Sequence, residues 1–138
     1  MEVKIQRIKG LAFIAKGDTN HWVAMDTEEK YGGEYAASKP MELILMGLGG
    51  CTGMDVVSIL TKMKVHLDDF SMDIGAEQAE NFPKVFTKIH ILYRFFGKQI
   101  DEENIKKAIE LSRTKYCSVY AMLSKSVEID FSYKIISE

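Results

Sequence analysis

An α+β domain of order βββ-α-ββ-α-β is expected from three patterns in this chain. Apolar and polar residues alternate near both ends, one long apolar stretch opens on a helix-start signature, and one shorter amphipathic stretch precedes the final alternating run. The whole chain, 1–138, reads as a single domain, and that length is enough to bury a core.

Val3-Lys-Ile-Gln-Arg-Ile8 alternates with period two and predicts a first strand, ended by Gly10. Leu11 to Ala15 predicts a second strand. Lys16-Gly-Asp-Thr-Asn20 has turn composition, and His21 to Met25 predicts a third strand. Asp26 to Lys39 is polar, contains Gly32 and Gly33, and is expected to be a loop of about a dozen residues. Its length makes it a candidate gate over a functional site.

Ser38-Lys-Pro-Met-Glu42 starts a helix. Proline suits the first helical position, and a carboxylate in the first turn suits the helix dipole. The helix is expected from Pro40 to about Met63. Before Lys62 its only charged residues are Glu42 and Asp55. A helix apolar all round needs cover on all sides, more than one small subunit supplies, so a second subunit is expected to cover it. Gly47, Gly49, Gly50 and Gly53 each cost about 1 kcal/mol of helix propensity relative to alanine. Close approach of a second backbone, or room for a substrate beside Cys51, would offset that cost.

Phe70 to Ile74 and Val85 to Phe95 alternate again and predict an antiparallel pair. A second helix follows, capped by Asp101 and carrying the apolar stripe Ile105, Ala108, Ile109 and Leu111. Cys117 to Leu123 predicts a short helical turn, and Val127 to Ile135 a closing strand. The sheets are expected to be antiparallel.

Formal net charge is −2 and no lysine- and arginine-rich stripe is present, so no nucleic-acid partner is expected. No basic segment precedes an apolar one at the start, so no signal peptide is expected. The longest uninterrupted apolar run, Leu43 to Leu48, is too short to span a bilayer, so no membrane partner is expected. These features predict a cytoplasmic protein. In that compartment two cysteines are more often catalytic or free than a structural disulfide.

Cys51 and Cys117 are the only cysteines, each at the edge of an apolar segment. Reduction of a peroxide needs a thiolate nucleophile and a second thiol to trap the sulfenic acid. Two inert core cysteines are the alternative. Glu42 lies nine residues before Cys51, on the opposite side of an ideal straight helix. It is a candidate catalytic acid or a first-turn carboxylate that complements the dipole. Asp55 lies one turn after Cys51 on the same face, where its charge would raise a thiol pKa; it is expected instead to cap or to pair with a cation elsewhere. The cation that would activate Cys51 is Arg7, Arg94, Arg113 or a lysine. His21, His66 and His90 show no metal-ligand spacing, and neither a paired-cysteine nor a paired-histidine motif is present, so no metal and no cofactor are expected. Met41, Met46, Met54 and Met63 are core residues or a deformable wall for a hydrophobic substrate.

Taken together, Pro40-Met-Glu-Leu43, Leu48-Gly-Gly-Cys-Thr52, Asp55-Val-Val-Ser-Ile-Leu60 and Lys115-Tyr-Cys-Ser-Val119 resemble the OsmC/Ohr family of osmotically inducible and organic hydroperoxide resistance proteins. The element order agrees over nearly the whole chain. The resemblance implies an intertwined homodimer, with the long cysteine-bearing helices at its centre and sheets from both chains around them. It implies a thiol-dependent hydroperoxide reductase serving oxidative-stress defence, organic hydroperoxides being preferred. Cys51 would be the peroxidatic thiol and Cys117 the resolving one, with an external dithiol reductant. The family's best-studied branch carries glutamate directly after the proline and an activating arginine in its N-terminal part. Here Met41 follows the proline and the acid is Glu42, while Arg7 is the only arginine before Cys51. A thiol-sensing or electrophile-binding protein on the same scaffold, with little peroxidase turnover, is the alternative.

Overall fold

The computed structural model describes residues 1–137, which form two compact units divided between Met46 and Gly47. In the first unit β1 (Lys4–Lys9), β2 (Ala12–Lys16) and β3 (Trp22–Met25) make an antiparallel sheet in that order. Gly10, at a φ of 57°, makes the turn between β1 and β2 with backbone that L side chains rarely adopt. Within the strands only Ala15 is buried; Ile5 and Ile8 of β1 are about 60% exposed. This sheet buries little of its apolar surface.

The 26–39 segment is braced. The buried Asp26 carboxylate accepts the amides of Thr27, Glu34 and Ala36 at 2.8, 3.1 and 3.0 Å. A single 3₁₀ turn, Glu29–Tyr31, lies within it, and Met25 and Ser38 close its ends with a β-bridge. Gly33 is required there, because a Cβ would lie 2.1 Å from the Thr27 carbonyl oxygen.

The long helix α1 (Pro40–Lys62) crosses the division between the units. It starts at Pro40 as the sequence predicts, and its first turn is closed by a bond that the sequence did not single out: the Lys39 amide donates to the Glu42 carboxylate at 2.8 Å, the reciprocal half of a capping box. In the second unit its buried residues Leu48, Thr52, Val56, Ile59 and Leu60 form one stripe, while Met54 and Val57 on other faces are exposed. By length and composition α1 is apolar enough to cross a membrane, with mean hydropathy 1.8 over 18 residues, of which 33% is buried. Leu43–Leu48 understated this, because Gly, Cys and Thr interrupt the run without adding charge. Core helices meet the same criterion.

The second sheet is β4 (Asp69–Gln78), β5 (Phe86–Phe96) and β6 (Glu128–Ile136), in that order. β4 and β5 pair antiparallel as expected, but β6 joins β5 in parallel register, Ile89 opposite Ile129. The expectation of antiparallel sheets is corrected at this point. A helical crossover returns the chain to the end of the sheet where β5 began, and such a connection gives a parallel neighbour. Along β5, Ile89, Ile91, Tyr93 and Phe95 face the core, and His90 between them is exposed. Each fully buried large apolar side chain contributes about 1.5–3 kcal/mol. The crossover comprises α2 (Glu102–Leu111), a π-helical segment Ser112–Tyr116, and α3 (Ser118–Leu123). Asp101 caps α2 by accepting the Glu103 amide at 3.0 Å, and Ile105, Ala108 and Ile109 are buried.

Candidate thiol site

Two of the α1 glycines are crowded by β4 side chains rather than by a second backbone. A Cβ on Gly49 would lie 2.9 Å from Ile74 Cδ1, and one on Gly53 would lie 2.7 Å from Met72 Cε, so the helix sits directly on β4. Gly47 and Gly50 meet nothing within 4 Å. This close seating turns Thr52 inward and leaves Cys51 and Asp55 half-buried at the edge of the core-facing stripe.

Cys117 arrives from the other side, positioned by the π-helical segment. Its amide donates to the Ser112 carbonyl at 2.8 Å, five residues back. The widened turn is the kind of local irregularity that recurs at functional sites. Cys117 then caps α3, its sulfur accepting the Tyr120 amide at 3.3 Å. It is 2% exposed.

These placements bring Cys51 Sγ, Cys117 Sγ and an Asp55 carboxylate oxygen within 4.8 Å of one another. Burial pushes the Cys117 thiol up to about 12; its hydrogen bond with Cys51 and the charge of Asp55 push the same way, against the Tyr120 amide. Asp55 therefore acts on a thiol in the direction expected, but the thiol is Cys117. Among the described residues no cation pairs with Asp55. Its Oδ2 instead accepts the Ser112 hydroxyl at 3.1 Å. Ser112 also bonds the Thr52 hydroxyl at 2.9 Å, and Thr52 bonds Tyr93 Oη at 2.8 Å. A buried chain of hydroxyls thus runs from β5 to the carboxylate beside the thiols.

The candidate cations separate. Arg94 is bound to Asp73 across β5 and β4. Arg113 lies with its guanidinium carbon 4.5 Å from the Phe131 ring centre, donates to Tyr120 Oη at 3.1 Å, and is near enough to Tyr93 to oppose the rise in its pKa caused by burial. Arg7 is in β1, in the first unit. Lys62 lines a cleft of about 270 Å³ with Asp55, Ser58, Ile59, Met63 and Tyr116. Met63 is the one methionine of the expected wall that lines this cleft. His90 is occupied on the exposed sheet face, bonded to Asp130 and, at 2.8 Å, to Ser132. The Glu42 carboxylate is held by its cap bond to the Lys39 amide.

Sequence reasoning missed Ser112, Thr52 and Tyr93. Ser112 directly follows the apolar stripe of α2, and a hydroxyl in phase with buried positions was the available signal.

A family model described as OsmC-like protein matches residues 32–132. Over 137 residues the chain is 35% identical to Protein YhfA of Escherichia coli K12, covering 99% of each. Its structure is similar to the crystal structure of a hypothetical protein from Aquifex aeolicus VF5, with TM-score 0.87 and 31% identity, over 99% of this chain and 96% of that one. An organic hydroperoxide resistance protein from Elizabethkingia anophelis shares the fold at TM-score 0.73 and 14% identity, over 99% of this chain and 97% of that one.

Proposed function

This chain belongs to the OsmC-like protein family, and on that premise we propose that it is a dithiol-dependent hydroperoxide reductase in oxidative-stress defence. The observation that carries the proposal is the pairing of a half-buried Cys51 thiol with a buried Cys117 thiol, their sulfurs within 4.8 Å. The similar fold of a protein described as an organic hydroperoxide resistance protein supports organic hydroperoxides as the preferred substrates.

Cys51 is the reachable thiol and takes the nucleophilic role. Its thiolate attacks the peroxide's terminal oxygen, the O–O bond breaks, an alcohol leaves, and Cys51 becomes a sulfenic acid. The Cys117 thiol displaces hydroxide from that sulfur, giving a Cys51–Cys117 disulfide and water. An external dithiol returns both cysteines to thiols. Burial of Cys117 keeps peroxide from it and reserves it for the second step. The carboxylate of Glu42, on the sequence either a catalytic residue or a first-turn carboxylate, is engaged in capping α1, which favours the dipole reading of that residue.

A homodimer is part of the proposal. Met54 at 76% and Met46 at 54% exposure, the open flank at Gly47 and Gly50, and the exposed Ile5 and Ile8 are apolar surface that a second chain would cover. A cytoplasmic location fits two free thiols.

The test adds one equivalent of cumene hydroperoxide, or of hydrogen peroxide, to the reduced protein and follows intact and peptide-mapped mass. Loss of two hydrogens mapped to a Cys51–Cys117 bridge, blocked in Cys51→Ser, is the expected result. A faster organic reaction assigns the substrate class. Thiols still free after long exposure overturn the cycle. Modification of Cys51 without turnover by a dithiol would favour the thiol-sensing reading.

A further inference from the structure

We propose that the reduced site is also a binding site for Zn²⁺, with Cys51 Sγ, Cys117 Sγ and Asp55 as its three protein ligands and a fourth position left for water or an external thiolate. Among the described residues this is the one group of three or more cysteine, histidine or carboxylate side chains whose ligand atoms converge, all within 4.8 Å. Tetrahedral zinc with Zn–S bonds near 2.3 Å holds two sulfurs about 3.8 Å apart, so the sulfurs close on the ion with a contraction of about 1 Å at most.

The donor set selects the metal. Two thiolates favour a soft or borderline ion, and one carboxylate is compatible with zinc, whereas calcium and magnesium demand oxygen alone. Three protein ligands with a fourth position open is the zinc arrangement found where exchange is needed.

The surroundings support the same assignment. Among the described residues Asp55 makes no salt bridge, and its carboxylate faces the two thiols. Ser112 donates to Asp55 Oδ2 at 3.1 Å, and no donor among the described residues holds the other oxygen. A ligating carboxylate is commonly oriented through such an outer-shell hydrogen bond. Thr52 and Tyr93 brace that serine in turn. Entry is open, because Cys51 and Asp55 are half-buried and Asp55 lines the 270 Å³ cleft beside Tyr116. The spacing of Cys51 and Cys117 in the chain concealed the site, since no short motif contains both.

Binding involves no redox change. Zn²⁺ takes the lone pairs of two thiolates and one carboxylate oxygen, and the two thiol protons pass to solvent. The disulfide uses the same two sulfurs, so metal and disulfide exclude each other. A further consequence rests on the peroxidase reading. One hydroperoxide and two protons would convert the zinc dithiolate to disulfide, free Zn²⁺, alcohol and water, making zinc release a readout of oxidation.

The experiment titrates reduced, metal-free protein anaerobically with Co²⁺ and with Zn²⁺, using a chromophoric chelator as competitor. The expected result is one ion per chain, a sulfur-to-cobalt charge-transfer band with intense tetrahedral d–d bands, and release of protons on binding. Asp55→Asn should weaken zinc at least about tenfold and shift the cobalt spectrum. Cys117→Ser and the disulfide form should lose tight binding. Absence of the charge-transfer band, one ion per two chains, or undiminished affinity in Asp55→Asn would each overturn the site as assigned. Peroxide consumption, measured separately on the metal-free protein, shows whether the catalytic reading fails independently of the metal one.

Discussion

The Ser112 hydroxyl donates to the Asp55 carboxylate at 3.1 Å across two elements far apart in sequence. The same residue's carbonyl accepts the Cys117 amide at 2.8 Å. Ser112 therefore ties the carboxylate on α1 to the turn that carries the buried thiol. Four predictions start from this arrangement.

Ser112→Ala should destabilise the protein by about 1–3 kcal/mol, because it strips the Thr52 hydroxyl and the Asp55 carboxylate of a partner in a buried setting. Urea unfolding of the reduced protein measures this. The rate of disulfide formation after one equivalent of peroxide should rise, since the Asp55 charge that helps keep the Cys117 thiol protonated is no longer anchored beside it. An unchanged rate would show that Ser112 serves folding alone.

Alkylation should discriminate between the two thiols. Cys51 is half-buried, while Cys117 is 2% exposed and held protonated by burial. At neutral pH iodoacetamide should label Cys51 at least about tenfold faster. Peptide mapping of a time course reads the ratio directly, and equal rates would contradict the roles assigned.

Alkaline pH should weaken the reduced fold through Cys117. Its thiol ionises at an ordinary 9.0 when unfolded and near 12 when folded, pushed up first by burial. Between those values the native state retains a proton that the unfolded chain has lost. The stabilising contribution is thus fully present below about pH 9 and disappears as pH rises toward 12. Tyr93, raised by burial, adds to the same trend. Cys117→Ser should flatten the pH dependence of the urea midpoint in that window, leaving the Tyr93 part.

The glycines of α1 should divide by face. Gly49→Ala gains about 1 kcal/mol of helix propensity and meets Ile74 Cδ1 at 2.9 Å, the end of a side chain that can shift aside, so its net effect on stability should be small. Gly50→Ala meets nothing within 4 Å in one chain. If a second chain packs on that flank, Gly50→Ala should lower the association constant seen by light scattering while the helix content holds. Tighter or unchanged association would place the partner on another face.

Much of the fold was legible in the sequence because local rules act over short spans. Period-two alternation located the strands, though β4 continues to Gln78 beyond the stretch that alternated clearly. Pro40, Glu42 and Asp101 marked helix starts, and the Asp101 side chain caps its helix as expected. The parallel pairing of β6 was not legible, because strand direction depends on where a crossover delivers the chain.

For the site, the sequence by itself determined the inventory: two thiols, a carboxylate one turn from the first, and a family signature around them. The tertiary structure alone decided which groups meet. It brought Cys117 to Cys51 through a π-helical turn, set Asp55 beside both sulfurs, and joined Thr52, Tyr93 and Ser112 into one buried chain. The physical reason is range. Helix caps and alternation are satisfied among neighbours in the chain, whereas a thiol's burial and its partners depend on residues that only packing brings together.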